Sequence, residues 1–265
     1  MNLEFCSLAS GSRGNSQYIG NSKSAILVDA GMSGKYIENA LKTIDRNFDN
    51  IKALLVTHEH SDHISGIGVL MRRYKLPLYV NEKTWEGMKD KIGKIDEEKI
   101  QIIKNGELFS IDDILVNSYS ISHDANDPIG YTFEYQNKKI ALATDLGYAP
   151  DEVIQAIKDT DLLFIESNHD IQMLKAGKYP YFLKRRVLSM VGHLSNDEAG
   201  RVAKEVIRFG RAKKVLLAHL SGENNFPELA FETVKNVLLD GNIDLTKDVS
   251  LHMTHRKEAS KLFIL

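Results

Sequence analysis

The residues best suited to chemistry sit together in Thr57-His58-Glu59-His60-Ser61-Asp62-His63, three imidazoles and a carboxylate within six positions. They directly follow the apolar run Ala53-Leu54-Leu55-Val56, which reads as a strand buried on both faces. If the backbone stays extended past that strand, the two-residue period points His58 and His60 the same way. Asp62 and His63 then turn toward a second point as a helix begins. Neutral imidazole and carboxylate are good ligands for Zn²⁺, Mn²⁺ or Fe²⁺. The chain has one cysteine, Cys6, so a metal site must be built from His, Asp and Glu, and an intramolecular disulfide is excluded. The alternative is a polar loop with exposed histidines. Three more candidate ligands stand where strands end: His123 after Ser118–Ser122, Asp145 after Ile140–Thr144, and His219 after Val215–Ala218.

These positions require a scaffold of strands and helices. The N-terminal part reads as strands at Leu3–Ser7, Gln17–Ile19 and Ala25–Asp29, a helix capped by Ser33 and running to Ile44, a helix over His63–Tyr74, and a strand at Leu78–Val80. Strands follow at Ile100–Ile103, Ile114–Ser120, Tyr131–Tyr135 and Lys139–Thr144, the last two joined by a tight turn at Gln136-Asn137-Lys138. Helices at Asp151–Lys158, Pro180–Val191 and Pro227–Leu239 alternate with strands at Leu162–Ile165 and Val215–Ala218. Ser195-Asn196-Asp197-Glu198 reads as a capping box for a helix to Phe209, and Val249–His252 with Leu262–Ile264 finish a sheet. Two strand-rich halves, each with helices, predict two packed sheets with helices outside, in a single domain over residues 1–265.

Composition sets the class. The 265 residues are 43% hydrophobic and 26% charged, ordinary globular values that argue against disorder. No apolar stretch is long enough to span a bilayer, and the first fourteen residues do not read as a secretory signal, so a cytoplasmic location is expected. A net charge of −2 excludes a uniformly basic nucleic-acid-coating protein but leaves room for local basic patches.

The order His-x-His-x-Asp-His after an apolar strand, then His123, then Asp145 in a Thr-Asp-x-Gly context, then His219, resembles the metallo-β-lactamase fold superfamily. The resemblance implies a four-layer αββα sandwich with two divalent metal ions, zinc or manganese with iron also admitted. It implies His58, His60 and His123 on one ion, Asp62, His63 and His219 on the other, and Asp145 bridging. A closer resemblance, to the YycJ/WalJ group of bacterial exonuclease-like proteins, rests on Leu8-Ala9-Ser10-Gly11-Ser12-x-Gly14-Asn15-Ser16, Ser122-His123-Asp124-Ala125, Glu166-Ser167-Asn168-His169-Asp170, Gly192-His193-Leu194-Ser195-Asn196 and Ala218-His219-Leu220-Ser221. It implies a DNA exonuclease working from a 5′ end, with nucleic acid as partner and no membrane. No stretch leaves room for an inserted β-CASP domain.

Two metals suit phosphodiester hydrolysis, with hydroxide held between them as nucleophile and Asp62 orienting it or taking its proton. The leaving alkoxide needs a proton. His193 and Glu166 match a histidine–glutamate pair of ribonuclease Z, an arrangement that keeps an imidazole charged and oriented. The other reading of His193 is a helix-entry residue beside the capping box. Ser10, Ser12 and Asn15 lie in a loop that either cradles phosphate or is a plain turn. Lys184, Arg185 and Arg186 either follow a nucleic-acid backbone or form a solvated face, as do Arg72-Arg73-x-Lys75 and Arg211-x-Lys213-Lys214. Tyr179, Tyr181 and Phe182 either stack on bases or pack in the core. His169 is a substrate or supporting residue, whereas His252, His255 and Cys6 are structural. The competing functions are a small-molecule phosphodiesterase, thioesterase or lactonase on the same fold, and a metal-stabilised binding protein without turnover.

Overall fold

A computed structural model describes residues 2–265. Along the chain the elements are β1 (Glu4–Ala9), β2 (Ser16–Gly20), β3 (Ala25–Val28), α1 (Gly34–Thr43), β4 (Ile51–Leu55), α2 (Ser61–Ile64), α3 (Ile67–Tyr74), β5 (Leu78–Asn81), α4 (Glu82–Met88), β6 (Ile100–Ile103), β7 (Leu108–Ile111), β8 (Ile114–Ser120) and β9 (Ile129–Tyr135). They continue with β10 (Lys138–Ala143), α5 (Asp151–Ile157), β11 (Leu162–Glu166), α6 (Ile171–Ala176), α7 (Tyr181–Val187), α8 (Asn196–Phe209), β12 (Lys214–Ala218), α9 (Pro227–Asp240), β13 (Ser250–Met253) and β14 (Phe263–Ile264). The chain divides into two compact units. One holds the residues up to Ser120 with Ala125–Lys138 and His255–Leu265; the other holds Ile121–Asp124 and Lys139–Thr254.

In the first unit a seven-stranded sheet runs in the order β14-β1-β2-β3-β4-β5-β6. It is antiparallel from β14 to β3 and parallel from β3 to β6. The parallel half needs crossovers, which α1, the α2–α3 segment and α4 supply. Ser33 caps α1 by accepting from the Tyr36 N–H at 3.2 Å. Leu27, Leu54, Val56, Ile37, Leu41 and Leu70 are buried in the core shared by this sheet and its helices. Cys6 is buried with them, and burial pushes its thiol up to about 11, as fits a structural cysteine.

The helix expected over His63–Tyr74 is two, separated at Ser65-Gly66. The Gly66 N–H donates to the Ala30 carbonyl, and a Cβ there would fall 2.3 Å from the Met32 carbonyl oxygen. The chain therefore bends across the 30–32 backbone, which a continuous helix could not approach. The same unit carries the antiparallel meander β7-β8-β9. Gln136 and Asn137, which follow β9, both have positive φ, as a two-residue hairpin turn requires, and Lys138, expected in the turn, instead begins β10. The short elements α4, β7 and α6 carry too few residues to show a period, and sequence reasoning passed over them.

The second unit is built on parallel strands in the order β10-β11-β12-β13. The register pairs Ala143 with Ile165 and Glu166 with Ala218, so Asp145, Glu166 and His219 emerge at the same edge. Carboxyl ends of parallel strands are where such sheets present functional groups. Of the capping box at Ser195, only one half forms: the Ser195 hydroxyl accepts from the Glu198 N–H, whereas the Glu198 carboxylate turns to Arg201. β13 joins β12 while β14 joins β1, so the two C-terminal strands close different sheets rather than one. The helix expected over Pro180–Val191 stops at Val187, and a turn brings the His193 N–H back to the Val187 carbonyl at 3.1 Å.

Candidate metal centre

In the first unit, β4 delivers the backbone to Thr57, and the loop that follows is held by close main-chain contacts. The Asn15 N–H donates to the Asp62 carbonyl and the Ala30 N–H to the His63 carbonyl, both at 2.8 Å. Position 31 must be glycine, because a Cβ would lie 1.6 Å from the Asp62 oxygen. His58 and His63 are buried and their rings lie 4.0 Å apart by centroid. His58 Nε2 lies 3.1 Å from His60 Nδ1, so two ligand atoms converge as the two-residue period predicts. Asp62 Oδ2 is 3.7 Å from His63 Nε2.

Asp29 decides which nitrogens these rings present. Its Oδ2 accepts from His63 Nδ1 at 2.8 Å and from the Thr57 hydroxyl at 2.8 Å, and its Oδ1 accepts from the Thr57 N–H. The Thr57 oxygen, having given its proton to Asp29, accepts from His58 Nδ1 at 3.0 Å. With both Nδ1 atoms donating, each neutral ring keeps its Nε2 lone pair for a cation. Asp29 was not among the residues read from the sequence. It stands just past β3 in the left-handed region at φ 58°, a position β-branched and most other residues avoid. An acidic residue in Asp29-Ala30-Gly31 after an apolar strand was the available signal. Asp29→Asn keeps the turn but offers N–H where His63 needs an acceptor. Metal affinity is expected to fall about 10- to 100-fold, the usual cost of losing such a partner, as metal-buffered titration will show.

The second unit repeats this logic. His123 Nδ1 donates to the Gly192 carbonyl at 3.1 Å, and its Nε2 lies 3.8 Å from Asp145 Oδ1. Burial lowers the His123 pKa against the pull of Asp145, which favours the neutral, ligating form. His219 Nδ1 donates to Glu166 Oε2 at 2.9 Å, which turns its Nε2 to Asp145 Oδ1 at 3.5 Å. Asp145 and His219 both have left-handed backbones, at φ 57° and 53°. Strained backbone at strand ends commonly marks functional positions.

Glu166 is fully buried and fully used. Oε2 accepts from His193 Nδ1 at 2.8 Å as well as from His219, and Oε1 accepts from the N–H groups of Leu146 and Leu194. Burial alone would raise its pKa, but the charge and hydrogen bond of His193, with those of His219, hold the carboxyl below its ordinary range. His193, 18% exposed, is more open to solvent than His123 and His219, and its Nδ1 is 3.9 Å from Asp145 Oδ1. Asn168 holds the backbone here by donating to the His219 carbonyl, a contact the sequence did not announce.

The donor set fits divalent ions. In each unit the imidazole nitrogens beside the carboxylates are acceptor atoms with no thiolate among them, and their other nitrogens are anchored. Asp145, Glu166, His193 and His219 offer ligand atoms within 4.8 Å of one another.

The remaining sequence candidates are placed differently. Asn15 faces inward: its Nδ2 is 3.0 Å from His63 Nε2 and 3.3 Å from Asp62 Oδ2, and its Oδ1 accepts from the Gly11 N–H. Its side-chain N–H meets the His63 Nε2 lone pair that a bound cation would take, so it would give way when an ion binds. Ser10 is buried and Ser12 is exposed. His169 is buried, neither of its ring nitrogens has a hydrogen-bond partner, and burial pushes its pKa down to about 4, so it is neutral. Lys184 Nζ donates to the Lys175 carbonyl, Arg185 lies 5.9 Å over the Tyr181 ring, and Arg186 pairs with Asp124. His252 Nε2 sits 3.0 Å from the Ser250 hydroxyl and His255 is exposed.

Comparison with known proteins places these features. Residues 24–220 match the family model described as a beta-lactamase superfamily domain. The chain is 44% identical over 262 residues to exodeoxyribonuclease YycJ of Bacillus anthracis, covering 99% of each chain. It is 42% identical over 264 residues to exodeoxyribonuclease WalJ of Streptococcus pneumoniae strain D39, covering 98% of this chain and 97% of the relative. Among solved structures, the metallo-beta-lactamase fold protein YhfI from Bacillus subtilis superposes with a TM-score of 0.73 at 16% identity, covering 98% of this chain and 99% of that one. At that identity the likeness speaks for the fold alone.

Proposed function

The chain belongs to the beta-lactamase superfamily and, within it, to the YycJ/WalJ group, and on that footing we propose that it is a metal-dependent exodeoxyribonuclease. Its fold is the α/β sandwich of metallo-β-lactamase type that the order of the motifs led us to expect. The observation that carries hydrolysis is the anchoring of His58, His63, His123 and His219 through Nδ1, which presents Nε2 atoms beside Asp62 and Asp145. We assign one ion to His58, His60 and His123, the other to Asp62, His63 and His219, with Asp145 serving both. Zinc and manganese suit this ligand set best. When bound, such ions acidify a coordinated water and stabilise charge on the attacked phosphorus.

The protein's own groups handle the proton and the leaving strand. His193 donates to Glu166 through Nδ1, so Nε2 is the atom that delivers a proton to the departing alkoxide. That proton leaves on the released alcohol as the P–O bond breaks, and Glu166 keeps the ring oriented for the next cycle. Asp62, more exposed than its neighbour His63, is placed to receive the proton of the attacking water. Ser10, Ser12, Lys184 and Arg185 are proposed to meet the substrate. Among the described residues no helix is long and apolar enough to cross a membrane. With DNA as substrate, the cytoplasm is the location we propose.

The test is digestion by the Mn²⁺- or Zn²⁺-loaded protein of end-labelled double- and single-stranded DNA, matched RNA, and bis-p-nitrophenyl phosphate. We expect stepwise loss from the DNA 5′ end, abolished by EDTA and restored by Mn²⁺. Turnover of the small diester with every polymer intact would instead establish a small-molecule phosphodiesterase.

A further inference from the structure

We propose that α7 and the turn after it form a platform on which unpaired bases at the end of a DNA strand stack, a proposal that rests on the nuclease reading above. At the start of α7 two adjacent rings stand in solvent: Tyr181 is 76% exposed and Phe182 72%. Core packing, the other reading of these aromatics, does not describe them. At the other end of the helix and in the turn after it, Leu188 and Met190 are exposed as well. Two adjacent large rings left in water are unusual enough to point to an interaction.

Charge selects the occupant. Between Asp170 and Asp197 the sequence contains Lys175, Lys178, Lys184, Arg185 and Arg186 and no carboxylate, in a chain of net charge −2. The Arg185 guanidinium lies over the Tyr181 ring, so cation and aromatic face are already combined. Rings that stack on bases, set among cations that meet phosphates, are the recognition chemistry of single-stranded nucleic acid.

The platform is also tied to the reacting groups. Arg186 pairs with Asp124, next to the ligand His123, and the Ser122 hydroxyl donates to the Met190 carbonyl at 2.7 Å. His123 Nδ1 donates to the Gly192 carbonyl, and the His193 N–H returns to the Val187 carbonyl. Rings, ligand loop and His193 thus form one hydrogen-bonded piece. The seven residues of α7 span about 10 Å, the length of about three nucleotides at ~3.4 Å each. The turn after α7 carries His193, and an exonuclease needs a hold on the strand in the same part of the molecule to keep its place between cuts.

The experiment compares wild type with Tyr181→Ala/Phe182→Ala, both Mn²⁺-loaded, on 5′-labelled oligodeoxythymidylate and on bis-p-nitrophenyl phosphate, which is too small to reach the rings. For the double variant we expect KM on the oligonucleotide to rise about 10- to 100-fold, with turnover of the small diester unchanged. Tyr181→Trp/Phe182→Trp should restore the wild-type KM. An unchanged KM on the oligonucleotide, while wild type degrades it, overturns the platform and leaves the nuclease standing. Equal loss on both substrates overturns the platform by showing damage to the site. A wild type that degrades no oligonucleotide overturns both readings. Unchanged oligonucleotide kinetics with loss of self-association in sedimentation, or of binding to anionic phosphatidylserine vesicles, would reassign the surface to a second copy or to a membrane.

Discussion

Replacing Asp145 with alanine is expected to abolish hydrolysis and to lower metal content together. Asp145 is 3% exposed, and its Oδ1 lies 3.5 Å from His219 Nε2 and 3.8 Å from His123 Nε2. Asp124 Oδ1 also lies 3.4 Å from His123 Nε2, but Asp145 is the carboxylate whose single oxygen lies near both rings. The loss should exceed the ~10- to 100-fold that removal of a mere supporting partner costs. Because Asp145 has φ 57°, alanine also strains the backbone. Asp145→Asn removes the charge while tolerating that conformation, and it should lose metal and activity equally. Elemental analysis beside the digestion assay checks this. An asparagine variant that keeps both would show that Asp145 shapes the turn and holds no ion.

His193→Ala should separate chemistry from metal binding. Its Nδ1 is committed to Glu166, and the Nε2 atoms of His123 and His219 that we assign to metal are oriented by other bonds. We expect metal content unchanged and turnover on DNA slowed roughly 10²- to 10⁴-fold, the range for loss of a positioned acid. The defect should nearly vanish on bis-p-nitrophenyl phosphate, whose phenolate leaves without needing a proton. Loss of metal would identify His193 as a ligand. Glu166→Gln tests the same pair from behind. The carboxylate accepts four hydrogen bonds and an amide nitrogen can accept none, so a buried mismatch of about 1–3 kcal/mol is expected beside slower turnover. A lowered melting temperature with full activity would confine Glu166 to a structural role.

Much of this was legible in the chain because it is local. A run such as Ala53–Val56 identifies a buried strand, and the donor-rich residues just past it fall at a strand end whatever the rest of the protein does. The same reasoning located Asp145 and His219, and the parallel register of β10, β11 and β12 brings them to one edge. The break between α2 and α3 was not legible. Its cause is the backbone at Ala30 and Met32, which no helical period can announce.

The kinds of candidate ligand, their order and the absence of thiolate among them are written in the sequence, since they depend on residue type and on spacing within one element. The tautomers are not. Asp29 is 34 positions from His63, and Glu166 is 27 from His193 and 53 from His219. A single carboxylate at a strand end has no period or motif of its own, and only strand register decides which ring it meets. The same holds for Tyr181 and Phe182, whose helix is too short for its pattern to tell core from surface, so that packing alone left both rings in water.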